Sequence, residues 1–264
     1  MRVGIPKEIT AGEKRVALVP DAVSKLIETG IEVLVESKAG DNASFYDYQY
    51  EKAGATIVSE SSAVFETADV ILKVQCPRFN NDIGRHEAEL FKNGALLIAF
   101  FQPLANLDLV NKLAEQNVNV LSMDLIPRIA RAQKMDALSS MASISGYKAT
   151  LMAAYSCNKF FPMMVTAAGT YAPARGLVMG AGVAGLQALA TGRRLGAKMY
   201  GYDIRHAVKE QVESLGGTFI ETHITSQTET DAGYAQELAE SAQDNERNLI
   251  HHHLKNMDFV ITTA

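Results

Sequence analysis

Gly180, Gly182 and Gly185 stand at G-x-G-x-x-G spacing, behind the apolar run Leu177, Val178, Met179 and ahead of a helical pattern through Leu186, Leu189, Ala190 and Leu195. The chemistry of such a turn is electrostatic. The first glycine makes the turn, the second lets a pyrophosphate reach the backbone, and the third lets helix and strand pack closely. Val183 and Ala184 contribute amides at the helix start, where N–H groups without intrahelical partners favour an anion. A second strand-like segment, 198–202, ends in Asp203, eighteen residues past Gly185. At that distance a carboxylate accepts hydrogen bonds from the adenosine ribose hydroxyls. It also repels a 2′-phosphate, so the pattern predicts NAD(H) in preference to NADP(H). Ile204 and Arg205 follow, and an arginine there works against that preference because it is the usual partner of a 2′-phosphate.

A polar, basic loop at 126–136 holds the other candidates: Arg128 as a fork donor, Gln133 as a neutral amide and Asp136 as an acceptor, with Ser139 just beyond. These groups suit a carboxamide and a ribose, and by spacing alone they equally suit a solvated turn. His251, His252 and His253 are consecutive. On a helix they diverge by about 100° per residue and cannot converge on one ion, so no metal site is expected. Lys73 and Arg15 either touch a ligand or merely line a cleft, and Met163 and Met164 are expected in the core.

The elements that must position these residues alternate. Strands are expected at 2–5, 31–35, 56–58, 70–74, 96–100 and 117–123, with helices at 20–30, 46–53, 63–68, 87–92 and 107–115 between them. That is one α/β domain with a mostly parallel sheet. A long helix follows over 137–160, then a linker at 166–173, then the nucleotide unit. Past Asp203 come a helix at 208–215, a strand at 218–220, a polar loop at 222–233, an acidic helix at 234–255 and a strand at 258–262. The expected fold is two Rossmann-like doubly wound parallel-sheet domains joined by a long helix. Its divisions are 1–136, a connecting helix at 137–165, and an NAD-binding domain at 166–264. A complete domain of this kind needs further strands, so the second is expected to be a truncated or split product.

At 264 residues with 47% hydrophobic and 21% charged side chains, the chain can bury a sizeable core. A net charge of -5 argues against nucleic acid or an anionic membrane surface as the main partner. Cys76 and Cys157 are far apart and form no C-x-x-C, which suits unpaired thiols in a reducing compartment. No apolar run is long enough to span a bilayer.

Several blocks together resemble the NAD(H)-binding component of proton-translocating nicotinamide nucleotide transhydrogenase. They are Gly4-Ile5-Pro6-Lys7-Glu8, Pro127-Arg128-Ile129 with Arg131-Ala132-Gln133 and Asp136-Ala137-Leu138-Ser139-Ser140, Thr166-Ala167-Ala168-Gly169, the glycine turn, Gly233-Tyr234-Ala235, and Ile261-Thr262-Thr263-Ala264. The resemblance implies direct hydride transfer from NADH to NADP+ on a partner domain, coupled to proton movement by a transmembrane component. Transfer between two nicotinamides needs close approach and orientation, and no general acid or base. It further implies that Arg128, Asp136 and Ser139 hold the nicotinamide, that Gln133 reaches toward NADP, and that Tyr234 closes over the nucleotide with Ala264 beside it. A homodimer is implied, as is a cytoplasmic, peripheral location reached through partner subunits. Alanine dehydrogenase is the alternative. It shares Gly-Ile-Pro-Lys-Glu, Arg15-Val16-Ala17 and Lys73-Val74, but its proton-accepting histidine after the fifth strand is missing from Phe100-Phe101-Gln102-Pro103. A non-catalytic NAD-binding subunit is the third possibility.

Overall fold

The computed structural model describes residues 1–221 and 240–263. It divides into two compact units, Met1–Met135 and Asp136–Ala264.

In the first unit, strand β1 (Arg2–Ile5) leads through α1 (Pro20–Glu28), β2 (Glu32–Glu36), α2 (Asp47–Lys52), β3 (Thr56–Val58) and α3 (Ser61–Thr67) to β4 (Val70–Gln75). A two-stranded ribbon, β5 (Phe79–Asn80) and β6 (Arg85–His86), precedes β7 (Leu96–Phe100), α4 (Leu107–Glu115) and β8 (Asn119–Ser122). The sheet runs β3-β2-β1-β4-β7-β8, parallel throughout. Strand alternation sends successive side chains to opposite faces. Val3, Ile5, Val33 and Val35 pack with Val23 of α1 and Tyr50 of α2, whereas Ile71, Leu97 and Ala99 pack with Val64 and Phe65 of α3 and with Leu109 and Leu113 of α4. Two helices therefore cover each face. Order reverses between β1 and β4, the place where open α/β sheets leave a crevice at their carboxyl ends.

The helix expected at 87–92 is a single 3-10 turn, Glu87–Glu89. Ala88, Leu90 and Phe91 are all buried, and no one helix face presents that set. The ribbon of β5 and β6 carries no apolar alternation by which the sequence would announce it.

The second unit opens with α5 (Ala137–Ser156), a hairpin of β9 (Met164–Thr166) and β10 (Gly169–Tyr171), and then β11 (Arg175–Met179). It continues with α6 (Val183–Arg194), β12 (Lys198–Tyr202), α7 (Lys209–Ser214), β13 (Thr218–Phe219), α8 (Glu240–Leu254) and β14 (Phe259–Thr262). Its sheet, β13-β12-β11-β14, is again parallel. Ala188 and Leu189 of α6 pack on Val178 and Met199. Leu177 and Tyr202 meet Leu249, Ile250 and Leu254 of α8 on the other face.

Helix α5 stops at Ser156, short of the expected 160, because Phe161 turns into the core and stacks on Phe259 at 4.6 Å. The segment expected as a linker is the hairpin, with Gly169 at a positive φ after the Ala167-Ala168 tip. Met163, just before the hairpin, and Met164, its first residue, are exposed and do not belong to the core, a correction that follows from both hairpin strands being exposed along their length.

Helices α5 and α6 meet without a spacer. A Cβ on Gly146 would lie 2.0 Å from the Ala184 carbonyl oxygen. One turn on, Thr150 Oγ1 donates a 3.0 Å hydrogen bond to the Ala188 carbonyl. Both contacts advance by four residues, so the two helices run in the same direction.

Candidate functional site

In the second unit the glycine turn joins β11 to α6. Gly180 has φ 93°, a left-handed value that disfavours any side chain, and its N–H donates to the Tyr202 carbonyl at 2.8 Å. A Cβ on Gly185 would sit 1.8 Å from the Gly180 carbonyl oxygen, so helix and turn are in backbone contact. Gly182 is different: a Cβ there would meet no atom of the described residues within 4 Å beyond its own chain neighbours, and its φ of -77° is ordinary. Neither packing nor backbone strain accounts for a glycine at 182.

Gly182 is the N-cap of α6 and no side chain caps the helix. The amides of Val183, Ala184 and Gly185 have no backbone partner among the described residues, since the first internal bond runs from Leu186 N–H to the Gly182 carbonyl. Three donors and the positive end of the helix dipole thus remain for an anion. Thr263, just after β14, donates from Oγ1 to the Gly180 carbonyl at 2.7 Å and holds the turn from the neighbouring strand.

Asp203 follows β12 and is buried. Its Oδ2 accepts the Ala181 N–H at 2.7 Å and Arg205 Nη2 at 3.0 Å. Its Oδ1 accepts the Arg205 N–H at 2.9 Å and Nε at 3.0 Å. Burial pushes this carboxyl up, but the Arg205 guanidinium and the Arg205 and Ala181 amides outweigh that and hold it below the usual range. Asp203 is therefore ionised at neutral pH. Ile204 is half-buried between them.

Asp136 is the N-cap of α5. Its Oδ1 accepts the Ser139 N–H at 2.9 Å and its Oδ2 the Ser139 hydroxyl at 2.5 Å. Ser139 lies seven residues before Gly146, about 10 Å back along the α5 axis, toward the N-terminal end of α6. Arg128 and Gln133 belong to the first unit; Gln133 is exposed in the 3-10 turn Ala130–Met135. Tyr234 and Ala264 lie outside the described residues. His251 and His252 are exposed near the end of α8.

The first unit holds a cluster that residue spacing did not reveal. Lys73 on β4 is buried, with Nζ 2.9 Å from Glu87 Oε1 and 3.6 Å from Glu8 Oε2. Glu8 Oε1 accepts the Val74 N–H at 2.6 Å, and Glu87 Oε2 the Arg78 N–H at 2.9 Å. Two carboxylates share one ammonium. Burial drives the Glu8 carboxyl up, and Lys73 and the backbone donors only partly oppose it. Arg15 pairs with Glu13 at 2.7 Å, and that bond outweighs burial to bring the Glu13 carboxyl down to about 2. Lys73 and Arg15 thus already have internal partners. The sequence did carry one signal: a lysine inside the apolar run Val-Ile-Leu-Lys-Val needs buried anions.

A doubly wound sheet with a glycine turn, an open helix start and a carboxylate after the second strand defines a Rossmann-type nucleotide-binding architecture. The chain belongs to the alanine dehydrogenase/PNT family, whose N-terminal domain matches residues 4–145 and whose C-terminal domain matches residues 149–264. This makes it an oxidoreductase-family component. Within the family it is similar to an NAD(P) transhydrogenase subunit alpha polypeptide of Rhodospirillum rubrum, at 46% identity across 100% of this chain and 69% of the relative. The solved transhydrogenase from Sinorhizobium meliloti matches with a TM-score of 0.87 and 42% identity, over 100% of this chain and 70% of that one. Alanine dehydrogenase from Bacillus subtilis is more distant, at 30% identity over 86% of this chain and 58% of the relative.

Proposed function

We propose that this chain is the NAD(H)-binding component of a proton-translocating transhydrogenase and presents NADH to NADP+ held on a partner domain. Both nucleotides are then substrates. The observation that carries this reading is the open space at Gly182 beside three amides that have no backbone partner among the described residues, with ionised Asp203 after the next strand. A pyrophosphate fits the first feature and a ribose diol the second.

With the pyrophosphate on α6, the nicotinamide half extends toward the start of α5. Asp136 and Ser139 stand there, and Arg128 and Gln133 precede them in the same loop of sequence. In this reading Arg128, Asp136 and Ser139 orient the nicotinamide and Gln133 approaches NADP. Their task is positioning, since no proton is exchanged at the reacting carbons. Proton movement belongs to a transmembrane partner; among the described residues no helix is long and apolar enough to cross a membrane. A cytoplasmic-side, peripheral place and a homodimer complete the proposal. The dimer is supported by exposed apolar groups on α5 and the hairpin, including Tyr155 at 93% and Val165 at 74% exposure.

Alanine oxidation is less well supported, because the Lys73 ammonium is already held by Glu87 and Glu8 and no histidine follows β7, where Phe101 and Gln102 stand. The test is hydride transfer from NADH in a complex reconstituted with the NADP-binding component, comparing the native chain with Gln133→Asn. Transfer should be at least about tenfold slower in the variant with NADH affinity kept. An unchanged rate removes the role given to Gln133, and alanine-dependent NAD+ reduction by the native chain would overturn the reading as a whole.

A further inference from the structure

We propose that the first unit holds a ligand site of its own: the cavity between the ribbon of β5 and β6 and the start of α4 takes a small phosphate monoester, with the phosphate on Arg78 and Lys112 and the apolar body on Phe79. The site lies wholly within Met1–Met135 and stands apart from the dinucleotide reading of the second unit.

The cavity has a volume of about 430 Å³, and its lining includes Arg78, Phe79, His86, Leu107, Asp108 and Lys112. That is the scale of a small-molecule pocket. Three elements build the walls. Arg78 follows β4, and Glu87 fixes it there: the Glu87 carboxylate accepts the Arg78 N–H, and the Glu87 N–H donates to the Arg78 carbonyl, each at 2.9 Å. The buried Lys73 cluster, which hydride transfer does not use, thus anchors this wall through Glu87. Phe79 and His86 are directly opposite one another in the ribbon, so their side chains leave the same face. Leu107, Asp108 and Lys112 come from the first two turns of α4.

The donors in this lining suit an anion. Arg78 is exposed and its guanidinium pairs with no carboxylate among the described residues. Lys112 lies 3.6 Å from Glu89, beyond hydrogen-bond distance. Burial and the Lys112 charge hold His86 below its usual range, so the ring is neutral at neutral pH; its Nδ1 accepts the Ala88 N–H at 3.1 Å, which leaves Nε2 as its donor. The amides of Leu107, Asp108 and Leu109 have no backbone partner among the described residues, since the first bond of α4 runs from Val110 N–H to the Asn106 carbonyl. The Asn106 side chain donates instead to the Phe101 and Gln102 carbonyls. A phosphate monoester brings roughly two negative charges and three acceptor oxygens, enough for both cations, whereas a carboxylate leaves one unmatched. Beside these donors Phe79 is 56% and Leu107 62% exposed, an apolar surface that selects an ester over free phosphate. Asp108 works against the anion and limits its affinity.

The experiment is titration of the whole chain with phenyl phosphate and, separately, with inorganic phosphate, following backbone amide signals by NMR. Phenyl phosphate should move the amides at 107–109 saturably and bind about fivefold more tightly than inorganic phosphate, both affinities falling as salt is raised. Arg78→Ala should weaken both by about tenfold and Lys112→Ala by about threefold. Phe79→Ala should remove the advantage of the phenyl ester and leave inorganic phosphate unchanged. Asp108→Asn should tighten both by about threefold, a gain that a misfolded variant cannot give. The site is overturned if the amides at 107–109 do not saturate, if the shifts are confined to the amides at 183–185 in the second unit, if folded Arg78→Ala keeps the native affinity, or if Asp108→Asn weakens binding. Inorganic phosphate bound as tightly as the ester, or a Phe79→Ala variant that weakens both ligands alike, overturns the assignment of the ligand as an ester with an apolar body.

Discussion

Replacing Gly146 by alanine tests the backbone contact between α5, whose start carries Asp136 and Ser139, and α6, whose start carries the open amides. The new methyl carbon would lie 2.0 Å from the Ala184 carbonyl oxygen, 2.9 Å from its carbon and 3.0 Å from the Ala188 nitrogen, where ordinary contact begins at 3.4 Å. All three obstacles are helix backbone, so the helices must part by about 1 Å. Overpacking of this kind costs about 1–3 kcal/mol. The separation also stretches the 3.0 Å bond from Thr150 Oγ1 to the Ala188 carbonyl, adding about 1 kcal/mol. Alanine returns about 1 kcal/mol through its better helix propensity. The net expectation is a loss of about 1–3 kcal/mol, read in urea as a midpoint lowered by about 0.5–1.5 M at constant slope. NADH affinity should fall as well, because Ser139 moves relative to the open amides. A midpoint equal to or above that of the native chain would refute the close-contact argument and leave helix propensity as the only effect.

Gly182→Ala should separate binding from folding: no atom of the described residues opposes the added Cβ, so the urea midpoint should barely move while NADH affinity drops about tenfold or more by titration. Glu87→Ala leaves the buried Lys73 with Glu8 alone at 3.6 Å; breaking such a pair costs about 3–5 kcal/mol, to be read from denaturant unfolding. Glu13 gives a pH signature. Its carboxyl is held at about 2 in the fold against an unfolded value near the usual ~4.3, so its contribution is present above the unfolded value and disappears as pH falls toward 2. The stability gap between the native chain and Glu13→Gln should therefore shrink steadily from pH 5 to pH 2, and a gap that does not change with pH would contradict the Arg15 pairing.

The glycine spacing, the β/α alternation and the distance to Asp203 are local signals, and they were enough to place the strand, turn and helix of the candidate site. Each depends on backbone geometry within a few residues, which sequence encodes directly. The hairpin after α5, the shortened turn at Glu87 and the exposure of Met163 and Met164 were not legible, because they follow from what Phe161, Ala88 and Phe91 must bury. Pairings between distant residues were equally hidden. The sequence shows Lys73, Glu8 and Glu87 as three separate charges, and only the parallel sheet, by setting β1 beside β4, closes them into one buried cluster. Asp203 and Arg205 were both legible as candidates. Their bidentate bond was not, since the choice between a free guanidinium and a held one depends on burial at the end of β12 and on the Ala181 amide that fixes the carboxylate in place.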